Sequence, residues 1–288
     1  MTRQDRYALM SVSDKKGIVP FARSLRELGF RILSTGGTAA ALRKENVEVQ
    51  DVSEYTGFPE ILGGRVKSLH PRIHGGLLGR PDRETDRQEM DRQGIEPIEL
   101  VVVNLYPFEK TAAHLDASRE ELIEKIDIGG PTLLRAAAKN HEYVTVVVEP
   151  GDYDLILKEF RDTGRPSSNT RRRLALKAFR HTGAYDAAIV SGLSHALNME
   201  PAAGTAAGTP PFPARLLAGY EKIMDLRYGE NPHQGAAFYR PLGTPPAGMG
   251  AARKLQGKEI SFNNLLDCDA AWRMVEEFEP PACVIVKH

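Results

Sequence analysis

The chain lacks a net charge, long apolar runs and any useful number of cysteines, and each shortage excludes something. Lys plus Arg and Asp plus Glu both total 38 in 288 residues, so no overall field draws the chain to nucleic acid or to an anionic membrane. Any anion site has to be local. No stretch approaches the length needed to cross a bilayer, and Met1 to Arg6 lead only into a short apolar run, so no membrane partner is expected. The two cysteines, Cys268 and Cys283, are too few for a disulfide framework and have no CxxC partner; they read as small core residues of a protein kept in a reducing cytoplasm. The length allows one large domain or two ordinary ones, with a substantial core either way.

What is present in the first half is an alternation of short apolar runs and helical spacing. Tyr7 to Val12 reads as a buried strand, and Ile18, Phe21, Ala22, Leu25 and Leu28 follow at helical spacing with Gly29 as the stop. Arg31 to Leu33 is a second strand, Ala39 to Lys44 is rich in helix formers, and Val47 to Val52 alternates as a third strand. Leu100 to Val103 and Val144 to Val148 are further strands, with helices over Glu120 to Lys125 and Thr132 to Lys139; Ser118 with Glu121 makes a capping-box pattern for the first of these. This order predicts an α/β fold, a parallel sheet with helices on both faces.

In such a fold the carboxyl ends of the strands share one edge, where ligands collect. The end of the first strand offers Ser11, Ser13 and Lys15; the second runs into Ser34-Thr35-Gly36-Gly37-Thr38. Unpaired N–H groups and the dipole at a helix start favour a phosphate, which Gly36 and Gly37 can wrap while the hydroxyls of Ser34, Thr35 and Thr38 donate. A plain helix cap explains the same loop. The segment Gly63 to Pro71 adds Arg65, Val66, Lys67, Ser68 and His70 on a glycine-rich turn that Pro71 ends, reading either as a basic surface loop or as the wall of an anion site. His70 and His74 stand at H-x3-H spacing, but without a Cys pair or an HExxH helix they do not read as a metal site. Arg171 to Arg173, beside Leu174, Leu176 and Phe179, reads as the solvated face of a packed helix, and Arg80 to Arg92 as an exposed charged segment.

Ser11 to Lys15, Ser34 to Thr38, Gly63 to Pro71, Asn104-Leu105-Tyr106-Pro107-Phe108, Asp127-Ile128-Gly129-Gly130-Pro131 and Ala136 to His141 occur in that order. Together they resemble the bifunctional purine-biosynthesis family that carries AICAR transformylase and IMP cyclohydrolase activities. The resemblance implies a methylglyoxal-synthase-like first domain over residues 1–197 that closes FAICAR to IMP without a metal or redox cofactor. Ring closure needs a carboxamide nitrogen to attack a formyl carbon, a proton to leave and an oxyanion to be stabilised. By motif, Lys139 is the leading proton-transfer candidate and Lys67 the cation over the reacting carbonyl or base. Tyr106 and Asp127 complete the constellation, Asn104 offers an amide, and Ile128, Gly129 and Gly130 offer backbone groups for an oxyanion. On the residues alone, Tyr106 reads better as an aromatic at the core edge and Asp127 as a helix cap; the resemblance turns both toward function. The same fold also serves methylglyoxal-synthase-like lyases acting on a triose phosphate and non-catalytic phosphate-ligand sensors.

Residues 198–215 combine Pro201, Gly204, Gly208, Pro210, Pro211 and Pro213 with many alanines, as an exposed linker does. Leu226 to Gln234, Ser261 to Leu265 and Val284 to His288 then resemble the start of the transformylase domain, so 216–288 is expected to be a truncated α/β, cytidine-deaminase-like segment. That resemblance makes Arg227 and Tyr228 substrate-binding, Lys287 a catalytic lysine and His288 the proton acceptor, in a full-length parent that takes 10-formyltetrahydrofolate as co-substrate for AICAR and forms a homodimer. The family pattern continues past His288 here, so formyl transfer by this chain is not expected.

Overall fold

A computed structural model describes residues 6–105, 119–196, 219–241 and 247–287, with only the backbone of 191 and 194–196. The chain divides into two compact units, Met1–Pro107 with Ile123–Asp186, and Phe108–Leu122 with Ala187–His288. The expected linker and the Ser118 cap lie outside the described residues.

The first unit is built on β1 (Arg6–Val12), β2 (Phe30–Ser34), β3 (Gln50–Asp51), β4 (Ile98–Asn104) and β5 (Thr145–Val147), a five-stranded sheet in the order β3-β2-β1-β4-β5 with every pairing parallel. Its helices are α1 (Ile18–Glu27), α2 (Gly36–Lys44), α3 (Val52–Thr56), α4 (Pro71–Leu78), α5 (Glu84–Gln93), the end of α6 (Arg119–Glu124), α7 (Gly129–Lys139), α8 (Tyr153–Thr163) and the first part of α9 (Ser168–Ala196). They cover both faces of the sheet, so the strands carry near-continuous apolar runs: Ala8, Leu9 and Met10 in β1 and Leu100 to Val103 in β4 are buried. On one side Phe21 of α1 stacks on Tyr153 with ring centroids 4.2 Å apart, and Phe30 of β2 meets Phe160 edge-on at 5.0 Å, which locks α8 to α1 and β2. Elsewhere α4 and α7 pack on each other and on β4.

Local chemistry explains the places where the expected elements shift. Val47 to Val52 is not one strand: Val47 is buried in a turn, only Gln50 and Asp51 pair with β2, and Val52 opens α3 because Asp51 and Glu54 form a capping box there. Arg171 is not solvated. It is 7 % exposed, with Nε donating to the His141 carbonyl at 2.8 Å and Nη1 to that of Pro166, while Leu176 and Phe179 face outward. The charged helix α5 has no buried residue.

In the second unit β6 (Tyr220–Leu226) and β7 (Ala236–Pro241) form a two-stranded antiparallel sheet, followed by α10 (Phe262–Glu276), whose start is held by a capping box of Ser261 and Asn264. Cys268 and Cys283 are exposed, not core residues as the sequence suggested. Among the described residues from 219 on, a two-stranded sheet and α10 make too thin a layer to enclose them. Among the described residues no helix is long and apolar enough to cross a membrane.

Candidate functional site

The strand order reverses direction between β1 and β4, and a cleft of about 540 Å³ opens at the carboxyl ends of the strands there. Its walls come from the loops after β1 and β2, the last residue of β4, the 63–69 turn, and the segment from Ile123 into α7. The structure therefore gathers Ser11, Ser13, Lys15, the whole of Ser34 to Thr38, Arg65, Lys67, Ser68, Asn104, Asp127, Ile128, Gly129 and Gly130 around one space. Their roles inside it differ from what their side chains alone suggest.

Several polar groups are taken up in building the walls. Ser34 is fully buried and its hydroxyl donates to the Met10 carbonyl at 2.7 Å. Thr38 Oγ1 accepts from Val12 N–H at 2.9 Å and donates to the Val12 carbonyl at 3.1 Å, tying the first turn of α2 to the end of β1. Asn104 Oδ1 accepts from the N–H groups of Ser13 and Asp14 at 2.7 and 2.9 Å, and Nδ2 donates to the Asp14 carbonyl at 3.0 Å. The expected hydroxyl and amide donors of Ser34, Thr38 and Asn104 are thus wall fasteners, because each lies opposite a backbone group of β1 or of the turn that follows it.

At the start of α2, Thr35 is the cap residue without a side-chain capping bond, and Gly36 takes φ +49, a left-handed conformation glycine adopts without strain. Two ammonium groups bracket this turn. Lys15 Nζ would be 3.8 Å from a Cβ placed on Gly37, and Lys67 Nζ 3.8 Å from one on Gly36. A helix N-terminus with two lysines over it is a cradle for an anion. Lys67 is only loosely paired, 3.8 Å from Glu60 Oε2, whereas Arg65 is engaged by both carboxylate oxygens of Glu124 on the exposed rim. Val66 does not line the cleft. It bridges to Ile61 and closes the turn that presents its neighbours.

The opposite wall carries Asp127. Gly130 N–H donates to Asp127 Oδ1 at 2.9 Å and the Gly129 amide acts on the same carboxylate electrostatically, so the amides expected to serve an oxyanion are turned to the aspartate at the start of α7. Burial pushes the Asp127 carboxyl above the usual carboxylate range, against the opposing pull of those two amides and of the Lys67 ammonium. Gly130 admits no side chain: an added Cβ would lie 2.3 Å from Asp127 Oδ2 and 2.6 Å from Leu105 Cδ2.

Lys139 does not join this group. It is exposed at the last position of the 11-residue α7, about 9 Å along the axis from Leu133, the last residue of that helix to line the cleft, at 1.5 Å per residue. Tyr106 and His288 lie outside the described residues. His70 caps α4, its Nδ1 accepting from Arg72 N–H at 3.2 Å, and burial lowers the pKa of His74. Among the described residues no cluster of three or more His, Cys, Asp or Glu could hold a metal. In the second unit Arg227 is exposed and turns onto its neighbour, Nη2 donating to Tyr228 Oη at 3.0 Å with the guanidinium 4.7 Å from the ring centre. Lys287 is exposed, and none of these residues lines the apolar groove of that unit.

Sequence reasoning missed His181 and Tyr185, both on α9. His181 Nε2 accepts from Leu105 N–H at 3.3 Å and Tyr185 Oη from Asp127 N–H at 2.7 Å. The signal available was their separation of one helical turn beside buried Ala178, which puts both on one packed face.

Comparison with known proteins gives two family matches. The model described as AICARFT/IMPCHase bienzyme matches residues 137–288, and that of the MGS-like domain matches residues 17–132. The bifunctional purine biosynthesis protein PurH of Myxococcus xanthus (strain DK1622) is 56% identical over 283 residues, 98% of this chain and 53% of that protein. The chain thus spans about half the length of the curated relative it matches. A solved structure described as the crystal structure of ForH is similar with a TM-score of 0.58 and 40% identity, covering 66% of this chain and 99% of that one.

Proposed function

The chain belongs to the AICARFT/IMPCHase bienzyme family, and from that premise we propose that its first unit closes FAICAR to IMP. The observation that carries this reading is a single cleft with an anion cradle at the start of α2 on one side and Asp127 on the other, with Lys67 close enough to both to act on them electrostatically. The substrate phosphate lies at Gly36 and Gly37, with Lys15 and the Thr35, Ser11 and Ser13 hydroxyls around it. In the reaction the carboxamide nitrogen bonds to the formyl carbon and gives up one proton, the formyl oxygen becomes an oxyanion and takes that proton up, and it then leaves as water with the proton of the formamide nitrogen as the ring C=N bond forms. Lys67, an ammonium without a tight partner, stabilises the oxyanion; Asp127, its affinity for a proton raised by burial, accepts the proton from nitrogen. The Gly130 amide acts one step back, by fixing the carboxylate. Lys139 has no direct part in this scheme.

The domains are proposed as cyclohydrolase over 1–197, linker over 198–215 and a transformylase portion over 216–288. Formyl transfer from 10-formyltetrahydrofolate to AICAR belongs to the full-length protein, as does a homodimer. In this chain formyl transfer is expected to be absent, a reading supported by the outward positions of Arg227 and Lys287. Incubation of the 288-residue protein with FAICAR while IMP absorbance is followed tests the central proposal. IMP formation is the expected result. Tight nucleotide binding with no IMP would favour a sensor, and turnover of a triose phosphate instead would favour the lyase activity that the MGS-like match leaves open.

A further inference from the structure

The two segments that carry the Asp127 wall are held from behind by one helix. His181 and Tyr185 reach across 76 and 58 residues of sequence to Leu105 N–H and Asp127 N–H, and the Tyr185 hydroxyl also donates to the Lys125 carbonyl at 3.5 Å. Tyr185 is 7 % exposed, so water does not substitute readily for its hydroxyl. A chain of dependence follows: Tyr185 satisfies the Asp127 amide, the Asp127 carboxylate satisfies Gly130 N–H, and those bonds shape the start of α7. His181 meanwhile holds Leu105, the residue after Asn104, whose side chain fixes the Ser13–Asp14 turn on the cradle side. The side chains of Asp127 and Leu105 both close on Gly130, within 2.3 and 2.6 Å of where a Cβ would stand, so the two clamped segments meet at this glycine.

We propose that His181 and Tyr185 are positioning residues for this site, an acceptor pair on α9 that fixes the backbones of Leu105 and Asp127 and so aims the Asp127 carboxylate. Both lie within the bienzyme match at 137–288, outside the MGS-like match that ends at 132. The pair is therefore contributed by the part of the chain beyond the phosphate-binding fold. An imidazole that accepts at Nε2 carries its proton on Nδ1 and is neutral; burial favours that form, with Glu149 and Lys177 acting on the ring in opposite senses. Asp127 and Asp186 are the charged groups that face the Tyr185 hydroxyl, and Lys67 faces Asp127.

The kinetic part of the test rests on the ring-closure reading; the structural part does not. Tyr185→Phe keeps the ring and removes the acceptor, His181→Leu removes the other acceptor, and His181→Gln restores one near the Nε2 position. Amide hydrogen exchange at Leu105 and Asp127 is measured with kcat and KM for IMP formation from FAICAR. In Tyr185→Phe the Asp127 amide is expected to exchange about tenfold faster, and kcat to fall about tenfold with KM within about twofold, because a small misplacement of a reacting group costs rate before binding. His181→Leu should show the same pattern at Leu105, and His181→Gln should recover most of it. Unchanged exchange in both acceptor-free variants overturns the clamp. Faster exchange with kcat within about twofold of wild type overturns its positioning role. If Tyr185→Phe does not fold, the contrast between His181→Leu and His181→Gln decides. Wild-type protein that makes no IMP sinks the ring-closure reading alone, since the exchange measurement still reports on the clamp.

Discussion

Both units of this chain carry short motifs, yet among the described residues it is the first that gathers them around one cleft. In the first unit a covered five-stranded sheet buries its strands on both faces, and the loops at one edge are fastened by Ser34, Thr38 and Asn104 before any ligand is considered. In the second, β6, β7 and α10 leave Phe262, Leu266, Trp272 and Met274 exposed, and the groove between them is lined by apolar side chains such as Phe238 and Met249. Among the described residues Arg227 turns onto Tyr228 and Lys287 is exposed, and neither lines that groove. Depth supplies the fixed backbone donors and acceptors that orient a functional group; a thin layer supplies only its neighbours in sequence.

The sharpest way to break this comparison is to remove one cation from each unit. Lys67→Met is expected to lower kcat for IMP formation by about 10²- to 10³-fold, the usual effect of losing an oxyanion partner, while Arg227→Met leaves it unchanged. Steady-state kinetics on both variants check this, and equal losses would erase the distinction. Core substitutions sharpen the same contrast in stability. Leu33→Ala in β2 should cost about 2–5 kcal/mol in urea unfolding, and Leu266→Ala on exposed α10 no more than about 0.5 kcal/mol.

A smaller effect attaches to Asp127. Its folded pKa is raised, so the folded state holds the proton more tightly than the unfolded chain; the stability this gives is present below the ordinary carboxylate range and lost as pH rises through the raised value. Asp127→Asn is therefore expected to raise the melting temperature at neutral pH by about 2–4 °C, an increment of the order of 1 kcal/mol, while abolishing proton acceptance. Calorimetry at two pH values tests the sign. For the wild-type enzyme the acid limb of the kcat profile should lie above the ordinary carboxylate range. An acid limb at or below that range would remove Asp127 as the base.

Much of the first unit was legible because its signals are local. Apolar runs in Tyr7 to Val12 and Leu100 to Val103, helical spacing from Ile18 and the stop at Gly29 each depend on neighbours in sequence, and all appear as expected. The convergence of the carboxyl ends of β1, β2 and β4 followed from parallel topology. What could not be read was which hydroxyl would meet a backbone group across the sheet, since nothing near Ser34 or Thr38 reveals that Met10 and Val12 lie opposite. The same reason hid His181 and Tyr185, whose partners are 76 and 58 residues away. Val52 was misread because alternation over a few residues is a weaker signal than the capping box of Asp51 and Glu54 that follows it.

The double hydrogen bond of Thr38 to Val12 has a consequence for anyone who would re-engineer this cleft. It makes the loop after β1 and the start of α2 a single module: a library that varies Ser13 to Lys15 while holding Thr38 samples new surfaces on an unchanged frame. One that varies Thr38 alters the spacing of the two loops themselves. Transplanting the anion cradle into another parallel sheet would therefore require both strand ends to be moved together, with Thr38 as the joint.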